Sequence, residues 1–135
     1  MEKSIEIKIA HLGFIQGVIT RMGNNSFLLK GWCVTLIAAL FALSAKDANR
    51  YFILIAYFPM FMFWWLDAFF LYQEKLYRAL YKSVALGITE STAFTLDATS
   101  FKSKDINIFL AFFSKTLFPF YGLIILLILL AKEIV

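Results

Sequence analysis

Asp67 follows sixteen uncharged residues, Tyr51 to Leu66, and is itself followed by Ala68, Phe69 and Phe70. A carboxylate in so apolar a run is costly, and such residues mark ion paths, proton relays or paired charges. Three roles fit it. It can form a salt bridge that anchors a helix at a fixed depth. It can line the mouth of an oligomeric pore, where a ring of acids favours cations. It can also relay protons, although no second acid or histidine accompanies it within the apolar runs.

The other reactive side chains suggest little chemistry. His11 is the sole histidine and sits among residues expected at a membrane interface, so a surface position is expected rather than a ligand or base. Cys33 is the sole cysteine, which excludes an intrachain disulfide and leaves too few thiols for a zinc site. Its place inside an apolar run predicts a buried, inert thiol. No Ser, Cys or Asp has a recognisable base partner, and no glycine-rich phosphate loop or metal-ligand spacing occurs. The reading is therefore of a protein that is not an enzyme, with no catalytic residues, metal site or cofactor.

Composition points to lipid. The chain has 135 residues, 61% of them hydrophobic and 19% aromatic, with sixteen Phe and three Trp. That is more apolar surface than a core of this size encloses. The net charge of +4 would suggest nucleic acid in a soluble protein. Here the charges flank apolar runs, so orientation and anionic headgroups account for them better, and no nucleic-acid partner is expected. The opening residues lack a short apolar core with a cleavage site, so the first span is expected to stay in the mature chain.

The elements that must position Asp67 read as follows. In residues 1–25, Ile5, Ile9, Leu12, Ile15, Ile19 and Met22 recur at helical spacing and predict an amphipathic helix at the membrane surface. Gly13 and Gly17 form a GxxxG within it. Gly23-Asn24-Asn25-Ser26 reads as a turn, with Ser26 able to cap the next helix. A first span, 27–46, carries Ala38, Ala42 and Ala45 on one smooth packing face. Lys46-Asp47-Ala48-Asn49-Arg50 makes a tight hairpin, which forces its flanking helices to be antiparallel neighbours. The second span, 51–72, is kinked at Pro59 and continues as a helix to about residue 84, with Glu74 and Arg78 as an i,i+4 pair. Its Tyr51, Phe52, Trp64, Trp65, Phe69, Phe70 and Tyr72 resemble interfacial aromatic belts, and the run FMFWWLDAFF reads as lipid-facing and packing surface. Residues 86–115 form a loop, in which 94–99 permit a short strand, and then an interfacial helix from Asp105 to Lys115. A third span, 116–132, carries Pro119 in its first turn. The fold class is thus an all-α integral membrane protein forming one domain.

Ten Lys and Arg residues fall in the N-terminal segment and between spans two and three, against Lys46, Arg50 and Lys132 elsewhere. The positive-inside rule then places the N-terminus and residues 72–115 in the cytoplasm and the C-terminus outside. Lys30 lies sixteen positions from Lys46, Asp67 seventeen from Arg50, and Lys115 seventeen from Lys132. Side by side, the three spans set Lys30, Asp67 and Lys115 at one depth, near the inner edge. Aspartate snorkels less far than lysine, so Asp67 is expected to pair with Lys30 or Lys115, in the same protomer or the next.

The runs NSFLLKGW, ALFAL, KDAN and FPMFMFWWLDAFFLYQEKLYRALY, with this order of elements, resemble the SLATT-type membrane effectors over roughly residues 1 to 85. That resemblance implies a homo-oligomeric bacterial inner-membrane effector that permeabilises or perturbs the membrane in anti-phage or conflict systems. The third span departs from a plain two-span pattern, and no individual functional residue carries over. The alternative reading is a non-pore adaptor that docks a soluble protein through residues 72–115.

Overall fold

The computed structural model describes residues 2–47, 51–91 and 93–134, and these are helical with no strand among them. The elements are α1 (Glu2–Asp47), α2 (Tyr51–Ile55), α3 (Tyr57–Ala85), a 3-10 turn (Thr99–Phe101), α4 (Ile108–Phe112) and α5 (Phe118–Ile134). Glu2–Lys46 and Tyr51–Ala85 are long and apolar enough to cross a membrane.

The first departure from expectation is α1. Its 46 residues run unbroken through Gly23-Asn24-Asn25-Ser26, at about 69 Å for ~1.5 Å per residue. The expected turn and the separate 1–25 helix are absent. Gly and Asn there are poor helix formers, at up to ~1 kcal/mol each. Packing overrides them, because the inward stripe keeps its phase across the gap. His11, Ile15, Ile19, Met22, Ser26, Leu29, Cys33, Ile37 and Ser44 are buried or half-buried at steps of three, four or seven residues. The stripe is also not the one expected at the N-terminus. Ile5 and Ile9 are 55% and 63% exposed, and His11 takes the inward position.

The second long element is interrupted once. Pro59 has no N–H to offer Ile55, so α2 ends at Ile55 and α3 starts at Tyr57. Ala56 keeps helical angles, φ −62° and ψ −24°, and its N–H turns to the Ile53 carbonyl at 3.1 Å. The hairpin residues 48–50 lie outside the described residues. The pairing on either side is antiparallel: Lys8 reaches the Ala85 carbonyl, Gly23 faces Glu74, and Lys30 faces Asp67.

Two apolar clusters result. One joins Cys33 and Ile37 of α1 to Ile53, Met60 and Trp64, and to Tyr121, Ile124 and Ile128 of α5. The other joins Ile15 and Ile19 to Leu76, Leu80 and Val84, closed by Ala98 from the following loop. Trp64 is buried, not a belt residue; it stacks on Phe112 at 4.1 Å and donates from Nε1 to the Phe112 carbonyl at 2.9 Å. Trp65 and Phe69 remain exposed, as a belt requires. Ala38, Ala42 and Ala45 are exposed too, so the smooth face is not buried among the described residues. The residues that do face inward there are Cys33, Ile37 and Ser44.

The α3 helix ends in a Schellman arrangement. Gly87 sits at φ +79°, its N–H bonding the Val84 carbonyl, while the Ile88 N–H reaches the Ser83 carbonyl at 2.9 Å. Residues 94–99 form no strand: Phe94 is left-handed at φ +46°, and Asp97 folds onto Thr99. The helix expected from Asp105 to Lys115 shrinks to Ile108–Phe112, capped by the Asn107 side chain. Ser114 then accepts from the Leu117 N–H and opens α5. Gly87→Ala should destabilise the protein by about 1–2 kcal/mol, since alanine must take a left-handed angle. Gly17→Ala, on an exposed helical turn with open space at its Cβ, should be neutral or stabilising by up to ~1 kcal/mol. Thermal melts of the two variants in detergent check the contrast.

Candidate functional site

Asp67 falls on the buried stripe of α3, in phase with Met60, Trp64, Leu76 and Leu80. Its side chain has no exposed surface, so its charge must be met by neighbours. Lys30 of α1 meets it with Nζ 2.6 Å from Oδ2, and the Ser26 hydroxyl donates to Oδ1. Tyr121 of α5 donates its hydroxyl to Oδ2 at 2.9 Å, with the Phe63 carbonyl 3.3 Å away. One carboxylate therefore binds two helices to its own.

Each partner is placed by its helix. Ser26 and Lys30 are one turn apart on α1, and Lys30 Nζ also donates to Ser26 Oγ at 2.8 Å. Lys30 is the outermost member, with 18% of its side chain exposed, and its ammonium lies 5.9 Å from the Phe120 ring centroid. Tyr121 is held in place by stacking on Trp64 at 5.6 Å, the planes 7° apart. The arrangement is an anion with three donors in an apolar surround. It has no nucleophile–base geometry, and no group of metal-ligating side chains occurs among the described residues.

Of the residues singled out from the sequence, Lys30 and Asp67 come together within one chain. Lys115 does not: it is exposed, just before α5, and makes no ion pair with Asp67. Where Lys115 was expected to stand, Tyr121 stands instead, because α5 begins after Leu117 and turns its first buried position toward α3. Glu74 and Arg78 form their ion pair at 2.9 Å on α3. Ala38, Ala42 and Ala45 lie away from the carboxylate on the outer side of α1.

A second polar contact went unread in the sequence. His11 is buried, not on the surface, and its Nε2 lies 2.7 Å from the Thr95 carbonyl. A carbonyl only accepts, so Nε2 carries the proton, and buried Nδ1 has no hydrogen-bond partner among the described residues. Phe94 adds its ring edge-on at 5.8 Å from the His11 ring. Lys8 on the Ala85 carbonyl at 3.0 Å completes a clasp of residues 85–95 onto α1. Beside it, the Thr99 hydroxyl and then its amide hold the exposed Asp97 carboxyl below its ordinary range. The signal for His11 was its phase, four residues before Ile15 and eight before Ile19.

The chain matches no family model, no curated protein and no solved structure in comparisons with known proteins.

Tyr121→Phe should cost about 1.5–3 kcal/mol, the usual worth of a hydrogen bond to a charged group, without changing helix content. Thermal or denaturant unfolding in detergent, followed by circular dichroism, measures it. His11→Gln, which can still donate to Thr95, should leave residues 85–95 as protease-resistant as in the wild type. His11→Leu should expose them to cleavage.

Proposed function

We propose that this chain is a multi-pass bacterial inner-membrane effector that perturbs or permeabilises the membrane when activated. In this reading the Lys30–Asp67–Tyr121 contact holds the closed state. The observation that carries the membrane part is the outward face of the helices. Trp32, Leu36 and Leu43 on α1, Phe58, Phe61 and Trp65 on α3, and Leu123, Leu126 and Leu130 on α5 are all exposed. Water would leave an apolar band far larger than a soluble monomer carries, whereas lipid covers it.

In this arrangement α1 crosses from about Phe27 to Ala45, α2 with the first part of α3 returns to about Leu66, and α5 is the third span. The remainder of α1 and α3 stands off the bilayer as a paired helical stalk. Lysine and arginine counts orient the stalk and N-terminus to the cytoplasm and the C-terminus outward. With 17 residues, α5 reaches about 26 Å, short of a ~30 Å hydrocarbon core, and such mismatch strains the bilayer.

The switching part of the reading rests on the continuity of α1. A displacement of the stalk moves Ser26 and Lys30 with it, because no hinge separates them from His11 and Ile15. Pulling them from Asp67 leaves a carboxylate in an apolar belt, which water or a second copy must then satisfy. The exposed Ala38, Ala42 and Ala45 offer copies a smooth face on which to associate. The adaptor reading is favoured by one observation: Asp67 is fully buried and paired with Lys30 inside its own chain. In that case the stalk docks a soluble protein and no pore forms.

A membrane-potential dye in expressing cells separates the two. Asp67→Ala and Lys30→Ala should depolarise cells at expression levels where the wild type does not. Intact potential with the wild type and both variants, at matched membrane abundance, would contradict the effector and favour the adaptor.

A further inference from the structure

Residues 98–117 carry Lys102, Lys104 and Lys115 against a single acid, Asp105. Lys102 lies close enough to Asp97 to act on its charge, whereas Lys104 and Lys115 are exposed and enter no ion pair among the described residues. The two bracket α4. Lys104 is tied to its N-terminal side, where Asn107 Nδ2 donates to the Lys104 carbonyl at 2.8 Å, and Lys115 follows Phe113 by two residues. Between them α4 and α3 form a groove of about 280 Å³ lined by Trp65, Ile108, Phe109, Phe112 and Phe113, with no polar lining. Trp64, stacked beneath Phe112, fixes its floor. Trp65 is two residues from Asp67, so the groove opens at the depth of the buried ion pair.

An apolar slot whose short helix α4 lies in the chain between two exposed lysines, Lys104 and Lys115, has the chemistry of one ligand class. We propose that the groove binds an anionic phospholipid, one acyl chain lying along Trp65 and Phe109 and the phosphate meeting Lys104 and Lys115. This rests on the membrane reading above and adds headgroup selection to it. The aromatic rings give the chain a rigid surface, and the lysine stems reach outward to the headgroup. A zwitterionic lipid fits the same slot and gains less from the two cations.

The test uses the full chain with Trp32→Phe, reconstituted in phosphatidylcholine vesicles containing brominated phosphatidylglycerol or brominated phosphatidylcholine. Trp64 is buried, so Trp65 dominates quenching by bromine. Brominated phosphatidylglycerol should quench at several-fold lower mole fraction, on the order of fivefold for each lysine engaged. Lys104→Gln with Lys115→Gln should erase that difference while quenching itself persists. Equal quenching by the two lipids, or a preference that survives the double substitution, would overturn the lipid site and leave the membrane reading standing. No quenching by either lipid would overturn both. Lys75→Gln with Lys82→Gln, cations of the stalk, should leave the preference unchanged; its loss there would assign the preference to general surface charge.

Discussion

A carboxylate with no access to solvent, placed between two apolar clusters, is the constraint on which the rest of the structure turns. Removing such a charge from water costs several kcal/mol, and only close donors of good geometry offset it. Asp67 therefore dictates where α1 must run, since Lys30 and Ser26 have to arrive together. It also dictates where α5 begins, since Tyr121 has to reach the same oxygen as Lys30. The clusters on either side supply most of the burial, yet neither alone sets the register of the three helices. A slip of one residue would leave the apolar contacts partly satisfied and the acid unpaired. The polar centre thus makes one packing of an otherwise forgiving apolar surface the preferred one.

The same logic explains how the two apolar clusters are tied together. The Ser26 side of the polar centre faces the stalk, the Tyr121 side faces the cluster shared with α5, and Lys30 touches both. His11 and Lys8 clasp the Thr95 and Ala85 carbonyls toward the N-terminal end of α1. Between these two contacts the apolar cluster of Ile15 and Ile19 with Leu76, Leu80 and Val84 joins α1 to α3, and Gly23 faces Glu74. One continuous helix, α1, carries both His11 and Lys30.

Much of this was legible in the sequence, and the failures have physical causes. The all-helical architecture followed from charge-free runs and helical spacing, and the Lys30–Asp67 encounter from counting positions back to the hairpin. Position counting failed for Lys115 because it assumes that every span starts at its flanking charge, whereas residues 113–117 form a turn and α5 starts only at Phe118. Local propensity failed at Gly23-Asn24-Asn25-Ser26 because tertiary packing held the helix there. The unbroken phase of Ile15, Ile19, Met22, Ser26, Leu29 and Cys33 was the stronger signal. His11 was misread because a polar residue on the inward stripe has no apolar signature, and its partner Thr95 is 84 positions away. Trp64 was read as a belt residue and Tyr121 was not singled out, since nothing local distinguishes a stacked core aromatic from one at an interface.

The claim that Asp67 sets the helix register through Lys30 is tested most directly by a double-mutant cycle with Lys30→Met and Asp67→Leu, read as unfolding free energy in detergent. Each single substitution leaves a buried partner unmatched and should lose about 3–5 kcal/mol. The double substitution replaces the pair with apolar groups of similar size and should recover most of that loss, a coupling of ~2 kcal/mol or more. Losses that simply add, or single variants as stable as the wild type, would contradict the account.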